Sequence, residues 1–194
     1  MRHLRLLVVA VVALGAVLAG TAKADLLNGQ CGSTAQVFLP WNDQSSYYFP
    51  ANGGFENGSA GWTLGGGSQV VNDNESAYVH SAGDSHALAI PDGGSASTSL
   101  CYGLYYPALR FFVKGQGATV HVSVQTRNLL GIVSTLDGGT FQAGADWAPS
   151  PKLSTLLSAL IAPVGTKSMS LKITVTGAPA EIDDLYVDPF VMRY

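Results

Sequence analysis

Along most of the chain, apolar and polar residues alternate in short runs that end at turn-forming residues. From Ala118 to Thr126, Val120, Val122 and Val124 fall on one side, and Thr119, His121, Ser123 and Gln125 on the other. A period of two is the mark of a strand with one buried face. Met169 to Thr176 repeats it, with Met169, Leu171, Ile173 and Val175 set against Ser170, Lys172, Thr174 and Thr176. Further strand-like runs are Ala87 to Ile90, Ser97 to Cys101, Leu109 to Lys114, Leu130 to Leu136 and Glu181 to Val187. Asp92-Gly93-Gly94 and Asp137-Gly138-Gly139 read as stops between them, and Asp188-Pro189 closes the last. Only Leu153 to Ile161, Leu-rich and bounded by prolines, predicts one or two helical turns instead. Eight or more short strands, each with one apolar face, must bury those faces against one another. Two packed sheets do this, so the pattern predicts an all-β, two-sheet sandwich of jelly-roll type. An immunoglobulin-like sandwich is the alternative, but no Trp lies between the cysteines where that fold would want it.

The first residues have a different character. Arg2, His3 and Arg5 precede an apolar run from Leu6 to Leu18, and Ala22-Lys23-Ala24 forms a small-x-small site before Asp25. This is the layout of a cleavable secretory signal over 1–24; an uncleaved anchor is the alternative. Residues 25–50 then form an N-terminal extension carrying Cys31, and 51–194 the sandwich domain. Removal of Arg2, Arg5 and Lys23 would move the net charge from −3 to about −6. That argues against a nucleic-acid partner or a polybasic membrane surface. After residue 24 no apolar run approaches the length of a membrane span. With 47% hydrophobic and 12% charged residues, the chain can build a core. In an exported protein, found outside the cell or in its envelope, Cys31 and Cys101 are expected to pair; two separate buried thiols are the alternative.

Three stretches together carry a resemblance. Asn52-Gly53-Gly54-Phe55-Glu56-Asn57-Gly58 leads into Gly61-Trp62-Thr63-Leu64, the middle reads Leu109-Arg110-Phe111-Phe112-Val113-Lys114-Gly115, and the end reads Glu181-Ile182-Asp183-Asp184-Leu185-Tyr186-Val187. Their order resembles the galactose-binding-like jelly rolls, especially carbohydrate-binding modules of the family-four, family-nine and family-twenty-two kind, over residues 50–188. The resemblance implies a structural Ca²⁺ where the opening and closing motifs meet, with Glu56 and Asp183 as matching carboxylates. Calcium takes six to eight oxygens, and carboxylates plus turn carbonyls supply them. If Leu185 and Val187 face the core, alternation puts Asp183 on their side and Asp184 on the other. Turn acceptors without a metal are the plainer reading of both acids.

The resemblance also implies a concave sheet that binds glycan, an extracellular or cell-wall polysaccharide. On that reading Arg110, Phe112 and Lys114 line one groove with His121, Ser123 and Gln125, and Trp147 offers a further stacking surface. Arg, His and Gln suit sugar hydroxyls, and aromatic faces suit the C–H surface of the ring. A solvated sheet face would alternate in the same way. Catalytic signatures are missing from the sequence: there is no Gly-x-Ser-x-Gly elbow, His-Glu-x-x-His helix or Gly-rich phosphate loop. Asp84-Ser85-His86 could be imagined as part of a triad, but reads more simply as a turn. The sequence therefore predicts a non-catalytic binding module. The rival is a cell-envelope structural or interaction protein on the same fold.

Overall fold

A computed structural model describes residues 31–101, 108–154 and 166–188. Within these, the fold is the expected two-sheet antiparallel sandwich. Its strands are β1 (Trp62–Gly65), β2 (Gln69–Val71), β3 (Ala87–Ile90), β4 (Ser95–Leu100), β5 (Ala108–Lys114) and β6 (Thr119–Asn128). They continue as β7 (Val133–Gln142), β8 (Ala148–Pro149), β9 (Leu153–Ser154), β10 (Thr166–Thr176) and β11 (Ala180–Asp188). One sheet runs β1-β4-β10-β6-β7; the other runs β2-β3-β11-β5-β8, with β9 also on β5. The inner faces meet in one core built from Leu109, Phe111, Val120, Val122, Val124, Leu171, Ile173, Ile182 and Val187. Apart from Ile182, these are the apolar positions that alternation selects. Burying each such side chain stabilises by roughly 1.5–3 kcal/mol.

Three local expectations are corrected. The stop expected at Asp137-Gly138-Gly139 lies inside β7, where the register with β6 slips between Val122 and Ser123. The chain turns instead at 129–132, and Asp137-Gly138-Gly139 marks a bulge. The helical turns expected over Leu153–Ile161 begin as strand at Leu153–Ser154, and the remainder lies outside the described residues. In β11 the register against β5 slips between Asp183 and Tyr186, and Asp184 adopts φ 46°. One extra residue there reverses the alternation. Ile182, Leu185 and Val187 join the core, while Asp183 stands opposite Phe112 on the other side of the sheet.

Residues 31–49 are not a loose appendage. They close on themselves through Ala35 and Tyr47, and Tyr48 pairs in antiparallel fashion with Val187. A single 3-10 turn, Leu39–Trp41, brings Phe38 and Trp41 onto the outer face of the β5-β11 sheet. There Phe38 stacks on Phe112 (5.8 Å between ring centres) and meets Tyr47 and Tyr186 edge-on. This second, aromatic core buries Phe112 and Tyr186 on that face. The bridge expected between Cys31 and Cys101 is present, with Cα atoms 5.4 Å apart, and ties the segment to the end of β4.

Candidate functional site

The six residues expected in one groove fall on two faces. Alternation gives each strand's phase correctly, but β5 and β6 belong to different sheets, so their outer faces point away from each other. On β5, Phe112 is 2% exposed beneath Phe38 and Trp41. Arg110 pairs with Asp43 at 3.0 Å, donates to the Ser150 carbonyl and lies over the Phe38 ring. Burial would raise the Asp43 pKa, but hydrogen bonds from Tyr47, Ser45 and Arg110 outweigh it and hold it at about 2. Lys114 is engaged by Asp73 and Glu181 and lies over the half-buried Trp147 ring, 5.0 Å from its centre. Phe112 is thereby corrected from a ligand-binding to a structural position, while Arg110 is held against Asp43 and the Phe38 ring and Trp147 lies half-buried beside Lys114.

Among the described residues, nothing covers the outer face of the β1-β4-β10-β6-β7 sheet. Register sets Thr63, Ser97, Lys172, Ser123 and Asp137 in one row across all five strands. The next row on one side is Ser99, Ser170, Gln125 and Thr135; on the other it is Ser95, Thr174, His121 and Thr140. Ser123 is buried among its neighbours, whereas His121 and Gln125 are exposed. His121 Nε2 lies 3.2 Å from Asp137 Oδ1. A shallow depression of about 330 Å³ crosses β1, β4, β10 and β6, walled by Thr63, Ser97, Gln125, Ser170 and Lys172. Its chemistry is hydroxyl, amide and ammonium. These groups can donate to and accept from a polyhydroxylated surface. Sequence alternation marked His121, Ser123 and Gln125. Lys172 and Ser170 were visible in the β10 pattern, and only the β10–β6 pairing joins them to the site.

The acidic residues form a separate cluster under the segment between β2 and β3. Glu75, Asp183 and Asp184 are all buried. Asp183 Oδ2 accepts from the Glu75 backbone N–H, Asp184 Oδ2 accepts from that of His80, and Glu75 accepts from Ala77 and Val79. Burial pushes Asp183 up to about 8, reinforced by the charge of Asp184; burial and the charge of Glu75 push Asp184 up to about 7. Asp184 Oδ1 is buried without a hydrogen-bond partner. A side chain at Gly54 would bring its Cβ to 2.8 Å from that oxygen, so the opening motif needs glycine here.

Glu56 and Asp183, the expected calcium pair, are engaged by different parts of the chain. Glu56 accepts from the backbone N–H groups of Ser85 (2.7 Å) and His86 (2.8 Å), which together with the His86 ring keep its pKa below the usual value despite burial. Its carboxylate is satisfied without a metal. The ligand atoms that do gather are those of His80, Asp84 and Asp184, within 4.8 Å of one another. An orphaned carboxylate oxygen beside two acidic neighbours fits a cation, with Asp184 and Asp84 as the residues that would hold it. No spacing in the sequence marked Glu75 or His80. Asp84 and His86 were noted, but each pairs elsewhere, Asp84 with His80 (2.7 Å) and His86 with Glu56 (2.9 Å). Ser85 Oγ and Glu56 both approach the same His86 nitrogen, Nδ1. A triad needs one partner on each ring nitrogen, so this cluster has the wrong geometry for nucleophile activation.

No family model and no curated protein matches the chain. Among solved structures it is similar to the enzymatically active domain of tailspike protein 4 of bacteriophage CBA120, at 16% identity and a TM-score of 0.53 over 71% of this chain and 20% of that one. It is similar to the CBM22-1–GH10 modules of an endo-1,4-β-D-xylanase of Clostridium thermocellum complexed with xylohexaose, at 17% identity and a TM-score of 0.53 over 72% and 28%. The chain thus spans about a fifth and somewhat over a quarter of the length of these two. A xylan-binding domain of CBM family 22 is matched over 99% of its length, at 16% identity and a TM-score of 0.49. The likeness is one of fold: a two-sheet antiparallel jelly-roll sandwich.

Proposed function

We propose that the chain is an exported, non-catalytic glycan-binding module whose ligand lies across the open face of the β1-β4-β10-β6-β7 sheet. The observation that carries this is the polar depression itself, a trough of hydroxyl, amide and ammonium groups that no described residue covers, whereas residues 31–49 lie over Phe112 and Tyr186 on the other sheet. Gln125, Lys172 and His121 are the long polar side chains able to reach sugar hydroxyls. The fold and the disulfide support an extracellular place for it. A cation, Ca²⁺ by the oxygen-rich character of its neighbours, belongs to the scaffold at Asp184 and Asp84, away from the trough.

One observation favours the second reading, an envelope interaction protein without sugar binding. Among the described residues no Phe, Tyr or Trp ring stands on the open face, and sugar rings are usually held partly by stacking. A glycan array with the intact protein separates the two. Enrichment of one polysaccharide class, weakened roughly tenfold or more by combining Gln125→Ala with Lys172→Ala in calorimetry, is the expected outcome. An array blank for every class, or binding indifferent to both substitutions, would leave the interaction protein as the better account.

A further inference from the structure

The opening motif holds a residue pair that the fold leaves unoccupied, Asn57-Gly58. Where glycine follows an asparagine or aspartate, its backbone nitrogen can attack the preceding side-chain carbonyl, because no side chain stands in the way. Two conditions govern that attack in a folded protein. The glycine N–H must be free of a hydrogen bond, and the side chain must be free to turn toward it.

Four such steps occur among the described residues, and the structure separates them. At Asn52-Gly53 the Gly53 N–H donates to the Pro50 carbonyl at 3.0 Å, and the Asn52 side chain is held by the Asn57 N–H and the carbonyls of Gly58 and Ala60. At Asp92-Gly93 the Gly93 N–H donates to the Val175 carbonyl at 2.9 Å, and Asp92 accepts from the Gly177 N–H. Asp137-Gly138 lies within β7, where the Asp137 carboxylate accepts from the Gly139 N–H. Asn57-Gly58 is different. Asn57 is exposed, and no described residue bonds to its side-chain amide or to the Gly58 N–H. Gly58 takes φ +60°, and a Cβ placed on it would meet nothing within 4 Å, so there is room for a ring to close.

We propose that Asn57 is a site of covalent self-modification, in which the Gly58 backbone nitrogen converts its amide to an acid. A bond forms from that nitrogen to Asn57 Cγ as the Cγ–Nδ2 bond breaks, and Nδ2 leaves as ammonia with the Gly58 amide proton. Water then opens the cyclic imide. Opening at Cγ gives aspartate; opening at the main-chain carbonyl gives isoaspartate, with the backbone routed through the side chain. Water is the sole co-reactant, and nothing is oxidised or reduced. The structural consequence follows from Asn52. Its side chain holds the Asn57 N–H at 2.9 Å and the Gly58 carbonyl at 2.8 Å, on either side of the methylene that isoaspartate adds. Both bonds cannot be kept. The Asn52 carbonyl also accepts from the Trp62 indole, so the change loosens the opening motif where it meets β1. None of this depends on the glycan reading.

The test incubates the full chain at mildly alkaline pH, where loss of the Gly58 amide proton speeds the attack, and digests samples at mildly acid pH. Fragment-ion mass spectrometry reads each asparagine separately, including Asn28-Gly29, which lies outside the described residues. In the native protein, acid should accumulate at Asn57 roughly tenfold or more faster than at Asn52, whose conversion needs local opening. Isoaspartate should be the major product, and in urea Asn52 should catch up. The aged parent should melt below the fresh one, whereas Asn57→Gln should age without that fall. An Asn57 amide that survives in the native protein while the urea-unfolded chain converts overturns the proposal. So does native Asn52 converting as fast as Asn57. An aged Asn57→Gln variant that loses melting temperature as the parent does would overturn the loosening of the motif.

Discussion

Asp184 shows how one backbone choice sets local chemistry. Its left-handed φ of 46° creates the bulge in β11, and the bulge turns two adjacent carboxylates into buried space together. Regular alternation would have put one of them in the core and one outside, which is what the sequence alone implies. Glu56 and Asp183 were legible as important carboxylates because they stand in recognisable motifs. The groups facing Asp183 and Asp184 were not, because Glu75 and His80 come from a segment with no periodic pattern. Burial raises the pKa values of Asp183 and Asp184 to about 8 and about 7, so the folded protein without a metal binds protons that the unfolded chain releases near pH 4. Stability from this source is therefore full below about pH 4 and is lost as pH rises through 7 and 8. A bound cation would remove that loss by taking the place of the protons. In chelator, the melting temperature should fall between about pH 5 and pH 9, and excess Ca²⁺ should restore it at the alkaline end with little effect at the acid end. Asp184→Asn should abolish the calcium response. A melting temperature at pH 9 that ignores both chelator and Ca²⁺ would remove the cation from the account.

At the scale of elements, β5 and β6 illustrate where sequence information stops. Both alternate cleanly, and both phases are right: Leu109, Phe111 and Val113 face the core, as do Val120, Val122 and Val124. Alternation is a local property, whereas sheet membership depends on pairing with β11 and β10, which lie far along the chain. That is why Phe112 looked like a stacking platform. Its outer face is real, but residues 31–49 cover it, and the only sequence sign of this was a cluster of unassigned aromatics at Phe38, Trp41, Tyr47 and Phe49. Phe112 touches Phe38 and Trp41 with 2% exposure, so Phe112→Ala should destabilise the fold by about 3–5 kcal/mol. Glycan binding by the surviving folded fraction should be unchanged. Chemical denaturation gives the first number and calorimetry the second. Normal stability with lost binding would mean that the aromatic layer is open to ligand after all.

Across the whole molecule, the 31–49 segment makes the two sheets unequal. It converts the outer face of one into a second hydrophobic core, and leaves the other as the polar surface on which a binding role rests. The Cys31–Cys101 bridge spans this arrangement, because Cys101 ends a strand of the open sheet while the segment behind Cys31 crosses to the covered one. Two cysteines behind a signal-like N-terminus made the pair legible, although its structural purpose appears only with the aromatic layer in view. The bridge closes a loop of 70 residues, for which the chain-entropy account gives up to about 4 kcal/mol. Without it the segment keeps its Tyr48–Val187 pairing and its ring contacts with Phe112 and Tyr186, so the overlay should loosen rather than leave. For a chain of this size, Cys31→Ser with Cys101→Ser should therefore lower the melting temperature by about 10 °C. Hydrogen exchange should rise first at the amides of Ala35 and Tyr47, which bond only to each other across the loop, and much less at the valines of β6. If the double variant melts like the parent, the aromatic layer alone fixes the segment. If the β6 amides exchange as fast as those of Ala35 and Tyr47, the bridge supports the whole sandwich, and the two cores open as one unit.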